Sequence, residues 1–237
     1  MFFHRELTPS EIQPAMDLFH PDMHTLEMVE CVSAFHRLFL RNKEGFKSAL
    51  SFNGGKDCTV LLHIASKMLP LYDMTFKDFP VCFFDTHDQF PEVQEFIEAT
   101  ERDYDYEIIT YTGSFKDIIK QSIDDLALES MVLGVRVGDP SASTMDIFCE
   151  STANWPKILR VGPILNFSYE MIWNYIKNHN VSYCSLYDDG YTSLGSPHNT
   201  KKNPQLFDNK TNTYLPAHML QNGVHERESR ISSRKSS

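Results

Sequence analysis

A short segment of small and charged residues, SFNGGKD at 51–57, carries the groups best suited to hold an anion. Its adjacent glycines, Gly54 and Gly55, let the backbone turn tightly and approach a ligand closely. The N–H groups that follow belong to a predicted helix N-terminus, where they lack internal partners and the helix dipole favours negative charge. Lys56 adds a positive charge, and Asp57 can cap the helix or hold a divalent cation beside phosphates. The segment therefore predicts a phosphate-binding turn.

The pattern of this turn differs from that of the Walker phosphate loop, because GxxxxGK[ST] is absent. A tight strand-to-helix turn without a ligand is the alternative, and an isolated pair of glycines would favour it. The complete string between an apolar strand and a helix favours a nucleotide instead. The residues predicted to contact its phosphates are Ser51, Phe52, Asn53, Gly54, Gly55, Lys56 and Asp57.

The elements that position this turn alternate between strand and helix. Apolar runs predict strands at residues 46–52, 80–85, 107–111 and 130–137. Apolar residues at helical spacing predict helices at residues 25–42, 57–69, 91–104, 115–126 and 169–178. The alternation predicts an α/β fold with a parallel, doubly wound sheet and helices on both faces. Ligands of such sheets bind beyond the carboxyl ends of the strands, where the phosphate-binding turn lies.

Composition and pattern divide the chain into four stretches. Residues 1–24 contain three prolines and are predicted to be irregular, whereas residues 25–137 form the predicted nucleotide-binding core. Residues 138–230 are rich in turn residues and predict a loop-rich, substrate-binding appendage packed on the core. Residues 231–237 are predicted to fray.

The composition excludes several classes of protein. The chain has 237 residues, of which 41% are hydrophobic, which suits one globular domain with its own core. Its net charge of −10 argues against a general nucleic-acid binder. Five cysteines without a CxxC pair favour a reducing compartment over a disulfide framework or zinc site. Neither a secretory signal nor an apolar run of membrane-spanning length is found, so we expect a cytoplasmic protein, with a monomer favoured.

Further motifs follow the turn in an order known from one family. They are GVRVGDP at 134–140, NWP at 154–156 with Arg160 following, YCSLYDDGYTSLG at 183–195, NPQL at 203–206, YLPA at 214–217 and ERESR at 226–230. The turn resembles the PP-loop of the adenine nucleotide alpha-hydrolase-like superfamily, whose members react at the α-phosphate of ATP. The whole set, over residues 45–230, resembles the eukaryotic-type FAD synthetases of the PAPS reductase-like family.

This resemblance implies a nucleotidyltransferase, FMN adenylyltransferase, which joins ATP and FMN into FAD and pyrophosphate with Mg²⁺. The catalytic candidates that it implies, together with the turn, are Asn53, Asp57, Arg136, Asp139, Arg227 and Arg230. The flavin-binding candidates are Arg136, Asp139, Trp155 and Arg160. Asp85 and Thr86 follow the second strand, where the adenosine is expected, and Asp57 is the candidate magnesium ligand. Which tail arginine meets the phosphates stays open.

Each of these residues also has a purely structural interpretation. Arg136 can pair with Asp139, and Asp139 can cap a turn before Pro140. Trp155 can belong to the core, and the tail arginines can lie on a solvated face. The resemblance favours the ligand-binding role for Arg136 and for the pair Trp155 and Arg160, whose flat groups can stack on a flavin ring.

The implied reaction requires no general base. The FMN phosphate is already anionic near neutral pH, because its second pKa is about 6. The difficulty is to bring two anions together in line, so the protein must position them and neutralise charge as pyrophosphate leaves. This requirement agrees with a sequence in which no catalytic triad is evident.

Other functions stay open at this stage. A PAPS reductase-like oxidoreductase needs a reactive cysteine, generally in a C-terminal tail, but the last cysteine here is Cys184. A tRNA-thiolating enzyme generally needs cysteine pairs and a basic surface. A non-catalytic flavin- or nucleotide-binding module is the third alternative, because the chain departs from the family at Gly138, at residues 141–150 and at Lys202.

Overall fold

A mostly parallel sheet forms the centre of the molecule. The computed structural model describes residues 7–85, 88–140, 142 and 144–231. In that part the sheet consists of β1 (Ser48–Ser51), β2 (Val81–Asp85), β3 (Ile108–Thr112), β4 (Ser130–Val132), β5 (Phe148–Glu150) and β6 (Leu159–Val161). The strand order is β3-β2-β1-β4-β6-β5, and β5 is antiparallel to β6 while the other neighbours are parallel. The predicted α/β fold with a parallel sheet is confirmed.

Helices pack on both faces of this sheet. They are α1 (Pro9–Met16), α2 (Leu26–Lys43), α3 (Lys56–Met68), α4 (Pro91–Tyr104), α5 (Phe115–Leu126) and α6 (Tyr169–Asn178). Successive residues of β1 bury on opposite faces, as the pleat of a strand requires. Leu50 joins the large core formed with α2, α3 and α6, whereas Ala49 packs with Ile118 of α5.

The prediction of an irregular N-terminal segment is wrong for residues 9–16, which form α1. Pro9 occupies the first helical position, where its missing N–H costs no hydrogen bond. The Glu11 carboxylate accepts the Thr8 N–H at 2.8 Å, which stabilises the first turn. Ile12 and Met16 bury against the core, and this burial outweighs the prolines on which the prediction relied.

The predicted fourth strand, 130–137, is longer than the strand in the structure. The central sheet also continues beyond residue 137, where the nucleotide-binding core was predicted to end. Strand β4 stops at Val132, because the chain leaves the sheet to pack on α3. A Cβ on Gly134 would lie 2.5 Å from Cys58 Sγ, so only glycine permits this approach. Strands β5 and β6 then extend the sheet into the predicted appendage. Each has three residues, too few for alternation of apolar and polar residues to be recognised.

The C-terminal region consists of α6, several 3-10 turns and a small hairpin of β7 (Phe207–Asp208) and β8 (Thr213–Tyr214). The fully buried Asn203 ties this region together. Its Nδ2 donates to Thr192 Oγ1 at 2.8 Å and to the His225 carbonyl at 2.9 Å. The tail is thereby packed on the appendage as far as the last 3-10 segment, Gly223–Ser229.

No helix in the described part of the chain combines the length and apolar character needed to cross a bilayer.

Candidate active site

The turn between β1 and α3 positions backbone groups for a ligand. Phe52 is fully buried, and its N–H donates to the Cys82 carbonyl at 2.9 Å, so strand pairing continues into the turn. Gly54 has a φ of +71°, and a Cβ there would lie 3.0 Å from Val93 Cγ1. The Gly55 N–H donates to Asn53 Oδ1 at 3.0 Å. Residue 54 must therefore be glycine for both backbone conformation and space.

A tyrosine from the C-terminal region caps the helix that follows the turn. The N–H of Lys56, the first residue of α3, donates to the Tyr187 hydroxyl at 2.9 Å. Tyr187 is buried, and burial raises the pKa of its phenol well above the ordinary value. The protein itself thus uses one of the helix N-terminal donors that the sequence assigns to a phosphate.

Four charged side chains form a ring of ion pairs beside the turn. Lys56 Nζ contacts Asp57 Oδ2 at 3.0 Å and also contacts Glu226. Arg136 Nε contacts Asp57 Oδ1 at 2.6 Å, and its Nη2 contacts Glu226. The Lys56 side chain is 1% exposed and that of Arg136 is 8% exposed. Each cation therefore touches both carboxylates, and the four formal charges cancel.

Ion pairing outweighs burial in this ring. Burial lowers the pKa of Lys56, but Asp57 and Glu226 raise it further, so the net shift is upward. Burial raises the pKa of Asp57, but Lys56 and Arg136 lower it more, so the net shift is downward. Both groups therefore remain charged inside the protein.

The sequence predicted that the Arg136 guanidinium binds a phosphate through two parallel hydrogen bonds, and the structure shows a different arrangement. The guanidinium of Arg136 contacts carboxylates instead, and only its backbone N–H reaches Asp139 Oδ2, at 2.9 Å. The alternative, a side-chain pair between Arg136 and Asp139, is not what the structure shows either.

Asp57, the predicted magnesium ligand, already pairs with two cations. Both carboxylate oxygens of Asp57 already accept hydrogen bonds from cations. No group of three or more metal-binding side chains is found among the described residues. A magnesium ion would have to displace one of these cations to reach Asp57, so Asp57 as a ligand of Mg²⁺ beside the ATP phosphates stays a prediction.

A cavity of about 300 Å³ opens beside the turn. Its lining combines polar groups of the turn with apolar side chains of the neighbouring strand and helix. Ser51, Asn53, Phe83, Phe84, Phe115 and Arg230 are among the residues that line it. The cavity lies at the carboxyl ends of β1 and β2, as expected for a ligand of such a sheet.

The two tail arginines occupy different places. Arg230 lines the cavity beside the turn, and its Nη1 donates to the Leu194 carbonyl. Gly195 makes room for it, since a Cβ at residue 195 would collide with the guanidinium. Arg227 instead pairs with Asp139 at 3.0 Å, and both line a neighbouring cavity of about 480 Å³. The choice left open by the sequence therefore falls on Arg230 as the arginine at the turn.

Asp85, one of the two predicted adenosine contacts, lies outside the lining of this cavity. Asp85 ends β2 and lines a separate cavity of about 280 Å³. The two cavities share Phe83 and Gln89. Thr86 lies outside the described residues.

The two residues of the predicted flavin platform lie in different surroundings. Trp155 is 44% exposed and packs edge-to-face on Phe115, with ring centroids 5.8 Å apart. Trp155 is absent from the lining of the cavity beside the turn, but its partner Phe115 belongs to that lining. Arg160 lies at the centre of β6, between Met131 of β4 and Cys149 of β5. Neither a hydrogen bond nor a cation–π contact joins Arg160 to Trp155.

Sequence reasoning missed Tyr187 and Glu226 as members of the site. Both lie inside motifs that carry the resemblance, Tyr187 in the stretch at 183–195 and Glu226 at the start of ERESR. Position within a motif was therefore the signal that could have found them, although nothing local states which partner either residue contacts.

Comparison with known proteins identifies the family of this chain. A sequence model of the phosphoadenosine phosphosulfate reductase domain matches residues 47–117 and 116–202. A Schizosaccharomyces pombe protein named probable FAD synthase is 35% identical over 188 residues, which are 77% of this chain and 71% of the relative. The chain belongs to the FAD synthase family.

Other members of the FAD synthase family differ in length. A Caenorhabditis briggsae protein named probable FAD synthase is 39% identical over 188 residues, but these residues are 77% of this chain and 36% of the relative. The chain thus spans little more than a third of that relative. The crystal structure of Candida glabrata FMN adenylyltransferase shares the fold, with a TM-score of 0.75 at 22% identity, covering 95% of this chain and 97% of that one.

Proposed function

We propose that this chain is an FMN adenylyltransferase, which converts ATP and FMN into FAD and pyrophosphate. One observation carries the proposal: the glycine-rich turn and Arg230 line the same cavity. Backbone donors and a guanidinium at one cavity suit a polyphosphate. Membership of the FAD synthase family supports the flavin as the second substrate.

The cavity suits ATP at both ends. The N–H groups of Phe52, Gly55 and Lys56 already have partners in the protein, so other N–H groups of the turn are proposed to meet the phosphates. Arg230 supplies a positive charge near them. Phe83, Phe84 and Phe115 supply an apolar lining suited to the adenine ring. In this proposal the ring of ion pairs supports the turn from within, and Lys56 and Arg136 act on the phosphates only through it.

The chemical step needs alignment and charge neutralisation. An oxygen of the FMN phosphate attacks the α-phosphorus of ATP, a P–O bond forms, and the bond to pyrophosphate breaks. No proton has to be removed from the phosphate dianion, so no general base takes part. The turn amides and Arg230 hold the charge that develops on pyrophosphate. Magnesium enters as the counter-ion of the ATP substrate.

The flavin is proposed to lie next to Trp155. The exposed indole packs on Phe115, which lines the proposed nucleotide cavity, so we propose that a ring stacked on the indole holds its phosphate near ATP. The Nε of Arg160 is buried and has no hydrogen-bond partner among the described residues, which leaves a donor for a ligand. Asp139 and Arg227 are proposed to contact the ribityl chain or ring, because both line the neighbouring cavity.

Reductase chemistry has less support. Four cysteines, Cys31, Cys58, Cys82 and Cys184, are buried, and Cys149 is partly exposed. Burial raises the pKa of Cys184 to about 11, so its thiol is not poised to act as a nucleophile. The free cysteines also support our proposal of a reducing, cytoplasmic location. We further propose a monomer with a nucleotide-binding core and a flavin-binding C-terminal region.

The decisive experiment combines purified protein with FMN and Mg-ATP and quantifies FAD by chromatography and pyrophosphate by a coupled assay. We expect equal amounts of both products. Riboflavin in place of FMN is the parallel control, and it should yield neither product. Binding of FMN without release of pyrophosphate would instead identify a non-catalytic flavin-binding module.

A further inference from the structure

Glu226 connects three segments that are distant in the sequence. Its carboxylate accepts hydrogen bonds from Lys56 at the start of α3 and from Arg136, which follows β4. The Glu226 side chain is 13% exposed, and both cations are more deeply buried. Because an unpaired buried charge is costly, these two contacts strongly restrict where the Glu226 side chain can lie.

The same 3-10 segment that carries Glu226 leads directly to Arg230. Thr192 fixes the backbone between them: its Oγ1 donates to the Glu226 carbonyl at 2.6 Å, and its N–H donates to Ser229 Oγ at 3.0 Å. The Arg230 N–H then donates to the Arg227 carbonyl at 2.9 Å. A short, hydrogen-bonded link thus joins the ring of ion pairs to the arginine at the nucleotide cavity.

We infer that Glu226 is a positioning residue, which holds Arg230 at the phosphate-binding turn by anchoring the C-terminal tail to Lys56 and Arg136. The inference deepens the proposed function and rests on it. Glu226 itself does not line the cavity beside the turn, although it lines the neighbouring cavity with Asp139 and Arg227. It acts on ATP through Arg230.

Charge and position predict opposite effects on ATP binding. The ring is neutral as it stands, so removing the charge of Glu226 leaves one excess positive charge near the turn. If only charge mattered, ATP would bind more tightly to such a variant. If Glu226 positions Arg230, ATP binds more weakly and FAD forms more slowly, because the guanidinium no longer lies where charge develops.

The experiment compares Glu226→Gln with Glu228→Gln in the full chain. Glu228 lies on the same segment, but its carboxylate contacts His225 and Gln205 instead of the turn. We expect Glu226→Gln to lower kcat/KM for FAD formation about 10²-fold. We expect Glu228→Gln to stay within about twofold of the wild type.

A double-mutant cycle with Arg230→Ala tests whether Glu226 acts through the arginine. The double variant, Glu226→Gln with Arg230→Ala, should lose no more activity than Arg230→Ala alone. Independent, multiplicative losses would overturn the inference. So would tighter binding of the ATP analogue AMPCPP to Glu226→Gln, measured by calorimetry, since that result indicates a charge effect alone.

Glu226→Asp keeps the experiment informative if the glutamine variant does not fold. Aspartate retains the charge but is one methylene shorter, so it cannot reach both cations in the same position. A positioning role predicts impaired FAD formation in this variant, whereas full activity would overturn it. If the wild type forms no FAD, the proposed function fails, and the affinity of each variant for AMPCPP still tests the positioning of Arg230 independently.

Discussion

The Tyr187 hydroxyl accepts the N–H of Lys56 at 2.9 Å, so a residue of the C-terminal region caps the helix that begins after the phosphate-binding turn. Tyr187→Phe should leave that buried N–H without a partner. We expect a loss of about 1–3 kcal/mol in the free energy of unfolding, measured with urea.

Tyr183→Phe is the matched control for this experiment. The Tyr183 hydroxyl donates to the exposed Asp188 at 2.8 Å, so its removal should cost little. Equal losses in the two variants would show that the cap on Lys56 contributes nothing to stability.

Gly54 and Gly45 allow backbone strain to be separated from function. Both have positive φ, +71° at Gly54 and +99° at Gly45, so alanine should cost about 1–2 kcal/mol of stability at either position. Only at Gly54 would the new Cβ also approach Val93 Cγ1, at 3.0 Å, within the turn. We expect Gly54→Ala to abolish ATP binding by calorimetry, whereas Gly45→Ala should bind ATP normally.

Replacing Arg230 should weaken stabilisation of the leaving pyrophosphate more than replacing Arg227. Arg230→Ala should reduce kcat/KM by about 10²–10³-fold, the range typical of a lost donor to developing charge. Arg227 pairs with Asp139 away from the turn, so Arg227→Ala should keep the affinity for AMPCPP. Steady-state kinetics and calorimetry on both variants check this, and equal loss of AMPCPP affinity would contradict the placement of the two arginines.

Trp155 and Trp173 should respond differently to truncation. Trp155 is 44% exposed, so Trp155→Ala should keep its melting temperature but weaken FMN binding by about 1–3 kcal/mol, as for loss of one aromatic stacking partner. Trp173 is 3% exposed in the core, so Trp173→Ala should lose about 3–5 kcal/mol of stability. Quenching of FMN fluorescence measures the affinity, and unchanged FMN affinity in Trp155→Ala would exclude the proposed flavin position.

The buried His63 should make stability depend on pH. Burial, with smaller contributions from His179 and Lys67, lowers its pKa from 6.5 to about 4. Its Nδ1 lies 2.8 Å from the Tyr175 hydroxyl. Between pH 6.5 and 4 the unfolded chain binds a proton that the folded protein excludes, so the stabilising effect, complete above pH 6.5, is lost as the pH falls toward 4.

Urea unfolding at pH 7.5 and pH 5 measures this effect. We expect the wild type to lose about 1–3 kcal/mol over that interval from this group, and His63→Gln to lose less. His198→Gln is the matched control substitution, because His198 lies exposed at the surface. If His63→Gln lost as much stability between pH 7.5 and pH 5 as the wild type, the pH dependence of stability would belong to other groups.

The sequence determined most of the sheet and its helices, because their periodicity is local. The strands β1, β2 and β3 and the helices from α2 to α6 each contain enough residues for an apolar pattern to emerge. It did not reveal β5 and β6, whose three residues become strands only because β4 offers an edge for pairing. It also missed α1, which depends on burial against α2.

At the site, the sequence determined the phosphate-binding turn, because the two glycines, the preceding strand and the following helix are contiguous. Tertiary structure decided the partners of its charges. Lys56 meets Glu226, 170 positions later, and that contact turns a presumed phosphate ligand into part of an internal ring. Tertiary structure also decided that Arg230, not Arg227, lines the cavity beside the turn. A charge pairs with whatever the fold brings within a few ångströms, and no local pattern contains that distance.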